Sequence, residues 1–244
     1  MRATPPSRWS GSLLVEGFRL MRERLPIYVA LAGICGIAGW VVFPRIDMYA
    51  ILASNPAALM TTPPVSVVLL LSLGALFFIL PSALRRIEPS FKMTAVRAAL
   101  TLATIFSVGL ITEIGYAFAV IPGIVIAVLL SQTLINALLR ADEADSLTHL
   151  GSTLFGSVRG SVAMTKTHFA TTLGVVVASL FILLVPFLLV LLGLAILGVK
   201  LPPSLVVMAP LLFLTFIYFE CVRYALIVRW YRYLSSEEPS PASP

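Results

Sequence analysis

Charge is what this chain has least of. Asp, Glu, Lys and Arg make up 11% of its 244 residues, against roughly a quarter in a soluble domain. A chain so poor in charge cannot clothe a folded core in polar surface, which excludes an ordinary water-soluble globule. Cysteine is nearly absent too. The two present, Cys35 and Cys221, fall inside the first and last apolar runs, so they support neither a disulfide framework nor a zinc site. Histidine is as scarce: His149 and His168 both lie in one polar stretch, and no His-x-x-x-His, Cys-x-x-Cys, Gly-x-Ser-x-Gly or phosphate-loop spacing occurs. Metal and hydrolytic chemistry need convergent ligands or an activated nucleophile. No polar segment is long enough to build a catalytic domain. The sequence therefore reads as non-enzymatic, with no catalytic residue, no metal and no cofactor.

What it has in abundance is apolar runs. Apolar residues make up 59% of the chain, and its mean hydropathy is +1.01. Several runs reach the ~18 residues needed to cross a hydrocarbon core. The predicted fold class is all-α: a polytopic membrane protein of six transmembrane helices plus short amphipathic interfacial helices. The spans fall at about 27–43, 65–84, 96 to somewhere between 114 and 120, 124–139, 173–197 and 205–228. The turn between spans three and four falls at Gly115 or at Pro122-Gly123. A polar lead precedes the first run, and no small-residue cleavage pattern directly follows Val42, so the run reads as a retained span. The domain organisation is a polar lead and amphipathic helix over 1–25, a membrane domain over 26–234 and a disordered tail over 235–244.

The net charge of +6 could point to nucleic acid, but the basic residues flank apolar runs instead of clustering in a polar domain. Fifteen of the 17 Lys and Arg fall on one side of a six-span chain, leaving only Arg45 and Lys200 on the other. By the positive-inside rule both termini are cytoplasmic. Trp230, Tyr231 and Tyr233 fit an interfacial belt on that side. The expected partners are membrane lipids, with anionic headgroups at the cytoplasmic face, or another membrane protein, and not nucleic acid.

Before the first span, Leu14, Phe18, Met21 and Leu25 share one helix face, opposite Glu16, Arg19 and Glu23. Gly17-Phe-Arg-Leu-Met21, Ser90-Phe-Lys-Met93 and Ser161-Val-Ala-Met164 each stand just before a span. They suggest three units of interfacial helix plus hairpin in the same orientation.

Polar residues inside spans are few, and so informative. Glu113 lies late in span three. Gln132, Asn136 and Arg140 form an i, i+4, i+8 stripe on span four, facing either a neighbouring helix or a cytoplasm-facing polar cavity. Glu220 and Arg223 are placed to pair along span six. Asn55-Pro56-Ala57 matches half of the aquaporin signature, but Asn136, the other asparagine, precedes Ala137-Leu138, so a water channel is excluded.

Ile121-Pro122-Gly123-Ile124, a span, an acidic patch and then Ser161-x-x-Met164-Thr165-Lys166-x-x-Phe169 resemble a family pattern. The order is that of the six-span membrane domain fused to some bacterial glycerophosphodiester phosphodiesterases, also found free-standing. The likeness spans roughly 85–234, with Val162 where Trp is frequent, Thr167 where Gly is usual, and a longer polar stretch around 145–160. It implies a six-span fold resident in a bacterial inner membrane, and no phosphodiesterase activity, since the catalytic domain is absent. Two functions are thus expected: a non-enzymatic module engaging lipid or a membrane partner through its basic face, including Lys166, or a small transporter or channel for a lipid-like or small polar solute using Gln132, Asn136, Glu220 and Arg223.

Overall fold

The computed structural model describes residues 10–42, 63–141, 149–196 and 201–237. Among these, all regular structure is helical: α1 (Ser10–Glu23), α2 (Leu25–Val42), α3 (Pro63–Leu84), α4 (Ala95–Phe118), α5 (Val120–Leu130), α6 (Thr133–Arg140), α7 (Leu150–Lys166), α8 (Phe169–Ile196) and α9 (Leu201–Glu237). Most of the loop expected over 44–64, the acidic patch after Ala141 and the last residues of the tail lie outside the described residues, and of the turn expected over 198–203 the described part, from Leu201, is helix. Where the tail is described it is helical, three residues past Leu234, with Ser235 and Ser236 donating to the carbonyls of Arg232 and Tyr233.

Among the described residues, two helical stretches are long and apolar enough to cross a membrane, Ala95–Phe118 and Val120–Arg140 taken through its break. A third qualifies if Leu150–Lys166 and Phe169–Ile182 are taken as one bent span. Their outward faces are strongly apolar: Phe106 is 71% exposed, Phe118 83% and Ile121 75%. Contiguous apolar surface of this kind is what lipid covers.

The chain packs as two units. One comprises Met1–Gly11, Leu84–Leu180 and Ala225–Pro244, the other Ser12–Ala83 and Phe181–Tyr224. In the second unit, α1 buries Leu13, Gly17 and Leu20. The expected face is not the packed one, because Leu14 and Phe18 are exposed. Gly17 decides this. A Cβ there would run into the side chain of Val222 and lie 3.0 Å from its Cα. The missing side chain lets the backbones meet, and Phe18 turns outward. Pro26 has no N–H to donate, and the chain bends there, with Ile27 and Tyr28 both bonding to the Arg24 carbonyl at 3.0 and 3.2 Å. The packed face continues along α2 as Tyr28, Ala32 and Cys35.

In the first unit, the segment before α4 is not the helix that a threefold repeat requires. Residues 88–94 form turns and extended chain. Pro89 breaks the helical bonding, and two guanidiniums hold the loop instead. Arg85 Nε donates to the Phe91 carbonyl at 3.2 Å, and Arg97 Nη1 donates to that of Lys92 at 2.6 Å. Arg97 also stacks over the Phe91 ring at 4.3 Å and is buried. It belongs to the packing here and not to an exposed basic belt. Thr94 caps α4 by accepting from the Arg97 N–H.

The hairpin turn is at neither expected place. Helix α4 runs on to Phe118, Ala119 is extended, and α5 starts at Val120 with Pro122 in its first turn. There the absent N–H of proline is no loss. The two glycines flank the turn: a Cβ on Gly115 would stand 3.1 Å from Gly123 Cα, and one on Gly123 would enter the Tyr116 ring. They are the closest approach of the two helices, not the bend itself.

Candidate functional site

The Val120–Arg140 stretch is broken. Ser131 and Gln132 interrupt the helix between α5 and α6. Ser131 N bonds the carbonyl of Val128 at 3.3 Å, a tightened turn. That leaves Gln132 N and Leu129 O to find partners, and in an apolar setting a freed backbone group must be re-satisfied by a neighbour. Helix α7 provides the partners. Ser161 Oγ accepts from Gln132 N at 3.2 Å and donates to Leu129 O at 2.7 Å. Thr165 Oγ1 adds a longer contact to Leu129 O at 3.3 Å while bonding its own helix at Ser161 O, 2.8 Å. The Ser161–Thr165 pair thus stitches the break shut.

The stripe of Gln132, Asn136 and Arg140 faces α7. Gln132 and Asn136 are buried, and Asn136 Nδ2 meets only the Met164 sulfur, at 3.6 Å. The Arg140 guanidinium lies across two glycines of α7. A Cβ on Gly156 would be 3.5 Å from its Nη1, and one on Gly160 3.4 Å from both its Nη2 and Asn136 Nδ2. The polar complement at the break is nonetheless incomplete: Ser131 Oγ, Gln132 Oε1 and Thr133 Oγ1 are buried without a hydrogen-bond partner. Gln132 is 1% exposed, so its orphan carbonyl is a real desolvation cost.

Helix α7 buries hydroxyl groups. Its buried side carries Ser157, Ser161, Met164 and Thr165, while its outer side shows Ser152, Phe155, Arg159, Ala163 and Lys166. Phe155 is 72% exposed. No ion pair joins Arg140, Arg159 or Lys166 to any described residue. At Thr167-His168 the chain turns by 108° into α8. The bend is held from α9. Trp230 is fully buried and donates Nε1–H to Thr172 Oγ1 at 3.2 Å. It stacks on Tyr233 with centroids 5.2 Å apart, and His168 stands edge-on to both rings. Trp230 therefore secures the bend and does not face outward as part of a belt. His149 is exposed.

The remaining expected residues are not drawn into this cluster. Glu113 is exposed on α4. Glu220 and Arg223 lie in the other unit and pair with each other at 2.7 Å, with the Arg223 guanidinium over the Tyr224 ring at 4.6 Å. They do form the expected i, i+3 pair, and it neutralises itself. Among the described residues no three His, Cys, Asp or Glu side chains gather as a metal-holding group.

Sequence reasoning missed Ser131, Thr133, Ser157 and the bonding role of Ser161 and Thr165. The signal was present in two places: three consecutive polar residues, Ser131-Gln132-Thr133, inside an apolar run, and hydroxyl residues at 157, 161 and 165, repeating every four positions. Comparison of the chain with family models, curated proteins and solved structures returned no match.

Proposed function

We propose that this chain is a multi-pass membrane protein of six spans with both termini in the cytoplasm. In this reading it is a non-enzymatic module, of the type of the glycerophosphodiester phosphodiesterase membrane domain, that engages anionic lipid headgroups through its basic cytoplasmic face. One observation carries the reading: α7 leaves the direction of α8 by 108° and turns Phe155, Arg159 and Lys166 outward. An aromatic anchor flanked by cations on a helix set across a span is the arrangement of an interfacial helix, with the ring at the acyl boundary and the charges at phosphates. The six-span count draws on features beyond the two or three stretches already described. Helix α8 has 28 residues, α9 has 37, and α2 and α3 have 18 and 22, all predominantly apolar.

The test is lipid retention. The protein is purified in mild detergent and its bound phospholipid is quantified by native mass spectrometry. Charge reversal at Arg85, Arg86 and Lys166 is expected to lower bound phosphatidylglycerol several-fold relative to phosphatidylcholine. Retention equal to that of the unaltered protein sinks the reading.

A second reading, passage of a small polar solute, is favoured by the broken span with its orphan oxygens, since discontinuous helices line many transport sites. With Cys35 and Cys221 replaced, a cysteine at position 136 is expected to react with a membrane-impermeant maleimide if water reaches the break. No labelling from either side removes this reading.

A further inference from the structure

We infer that Gln132 and Asn136, across from Gly160 and Met164 of α7, form a binding site for a small uncharged solute bearing hydroxyl or amide groups. This goes beyond lipid engagement and rests on the second reading, passage of a small polar solute, to which it gives the class of solute.

Two buried amides lie one helical turn apart. The Asn136 N–H donates to the Gln132 carbonyl at 3.0 Å, so both side chains leave the same face of the chain. Each residue is more than nine-tenths buried. Gln132 Oε1 has no hydrogen-bond partner. Asn136 Nδ2 meets only the Met164 sulfur, at 3.6 Å, and a thioether is a weak acceptor. The pair thus offers one unused acceptor and one poorly used donor. For packing alone, apolar side chains of the same shape would cost less.

The facing side of α7 suits a guest. Gly160 presents no side chain to Asn136, and a Cβ there would stand 3.4 Å from Nδ2. Met164 is the long side chain against that amide, and methionine, with three rotatable bonds, repacks easily. It can turn aside for an oxygen that bonds Nδ2 better than sulfur does. Ser161 and Thr165 meanwhile satisfy the backbone of the break, so the helix holds together without the guest.

The chemistry of the pair selects the guest. A molecule that donates to Gln132 Oε1 and accepts from Asn136 Nδ2 is an alcohol or an amide. A cation would face the Asn136 N–H donors, with no buried Asp or Glu among the described residues to balance it. An anion would face the Gln132 oxygen. Either charge is costly in an apolar setting without such a partner. Arg140, exposed on the following turn of the same stripe, disfavours a cation further. Ser131 Oγ and Thr133 Oγ1 flank Gln132 in the chain, buried and equally without partners, and a hydroxyl both donates and accepts.

A bland alternative exists: the orphan oxygen is a tolerated defect, or holds water alone. The experiment places the full chain in phosphatidylcholine liposomes and follows entry of urea and of ethylene glycol by stopped-flow light scattering. Water flow and dye-reported sodium and chloride flux are measured alongside. Urea or ethylene glycol is expected to enter faster than in protein-free liposomes, with sodium and chloride unchanged. Gln132→Met and Asn136→Leu should each slow the protein-dependent entry about five-fold, the size of one neutral hydrogen bond. Without a guest Gln132→Met only removes an unpartnered oxygen, so its fold stands. A thermal-unfolding scan checks both variants, and should Asn136→Leu fail to fold, Gln132→Met carries the test alone. Entry unaltered in the folded variants overturns the site. Faster water flow alone also overturns it, because the guest is then water. Sodium or chloride flux overturns the solute class and leaves passage standing. The maleimide test at position 136 separates the last two outcomes. Labelling without urea or ethylene glycol entry removes the solute assignment only, and neither labelling nor entry removes the passage reading with it.

Discussion

Ser161 and Gln132 stand on opposite sides of the same break and should respond to substitution in opposite ways. The Ser161 hydroxyl both receives the Gln132 N–H and caps the Leu129 carbonyl. Ser161→Ala leaves two backbone groups without partners in an apolar setting and is expected to cost about 1–3 kcal/mol, read as a lower unfolding temperature in detergent. The Gln132 side chain contributes the reverse, since its buried Oε1 has no partner. Gln132→Met keeps the volume and removes the orphan, so it should be neutral or stabilising by up to about 1 kcal/mol. A destabilised Gln132→Met protein shows instead that an occupant holds that oxygen. The hydroxyls of Thr101 and Thr104 need no such help, because each bonds the carbonyl four residues back on its own helix.

At the scale of helices, the α4–α5 hairpin and the α7–α8 bend set the architecture of the first unit. The hairpin depends on Gly115, whose Cβ position is 3.1 Å from the backbone of Gly123 and 2.7 Å from the Ile126 side chain. Gly109, on the same helix, has nothing within 4 Å of its Cβ position. Gly109→Ala should therefore gain helix propensity, up to about 1 kcal/mol. Gly115→Ala has the same propensity gain but must push the helices apart, so it should be the less stable of the two in a paired thermal-unfolding measurement. Equal stability of the two variants contradicts the close approach. Both glycines sit in the sequence in the same way, as single interruptions of an apolar run. Only the partner helix distinguishes them. The bend behaves alike: Thr167-His168 carries neither proline nor glycine, and its stability comes from Thr172, Trp230 and Tyr233, the last two some sixty residues further on.

For the whole molecule the governing feature is the distribution of charge. The proposed six-span reading puts 15 of the 17 basic residues on one side and predicts that reporter fusions after Glu237 and before Ser10 are both active as cytoplasmic reporters, and that a fusion near Arg45 is active only as an external one. A C-terminal fusion active outside contradicts the span count. The basic side is not uniform, however. Arg97 is committed to the Phe91 ring and the Lys92 carbonyl, and Arg223 to Glu220. Arg85, Arg140, Arg159 and Lys166 keep their exposure. A count of charges weights all of them equally, whereas only the exposed ones present their charge to a surface.

The sequence by itself determined the class of this protein: helical, with stretches long and apolar enough for a membrane. These follow from composition and run length, which are additive along the chain and need no knowledge of neighbours. Half of the candidate site was equally legible, since Gln132, Asn136 and Arg140 share a face by helical period alone. Tertiary structure decided the rest. It put the turn at Ala119, rolled α1 onto Gly17 instead of Phe18, buried Trp230 and broke the Val120–Arg140 stretch at Ser131–Gln132. Each of these outcomes depends on what a distant segment offers at the point of contact: a missing side chain to approach, a hydroxyl to satisfy a freed amide, a ring to lean on. A break in a membrane helix is affordable only where such a partner stands opposite it, and Ser161 is that partner here.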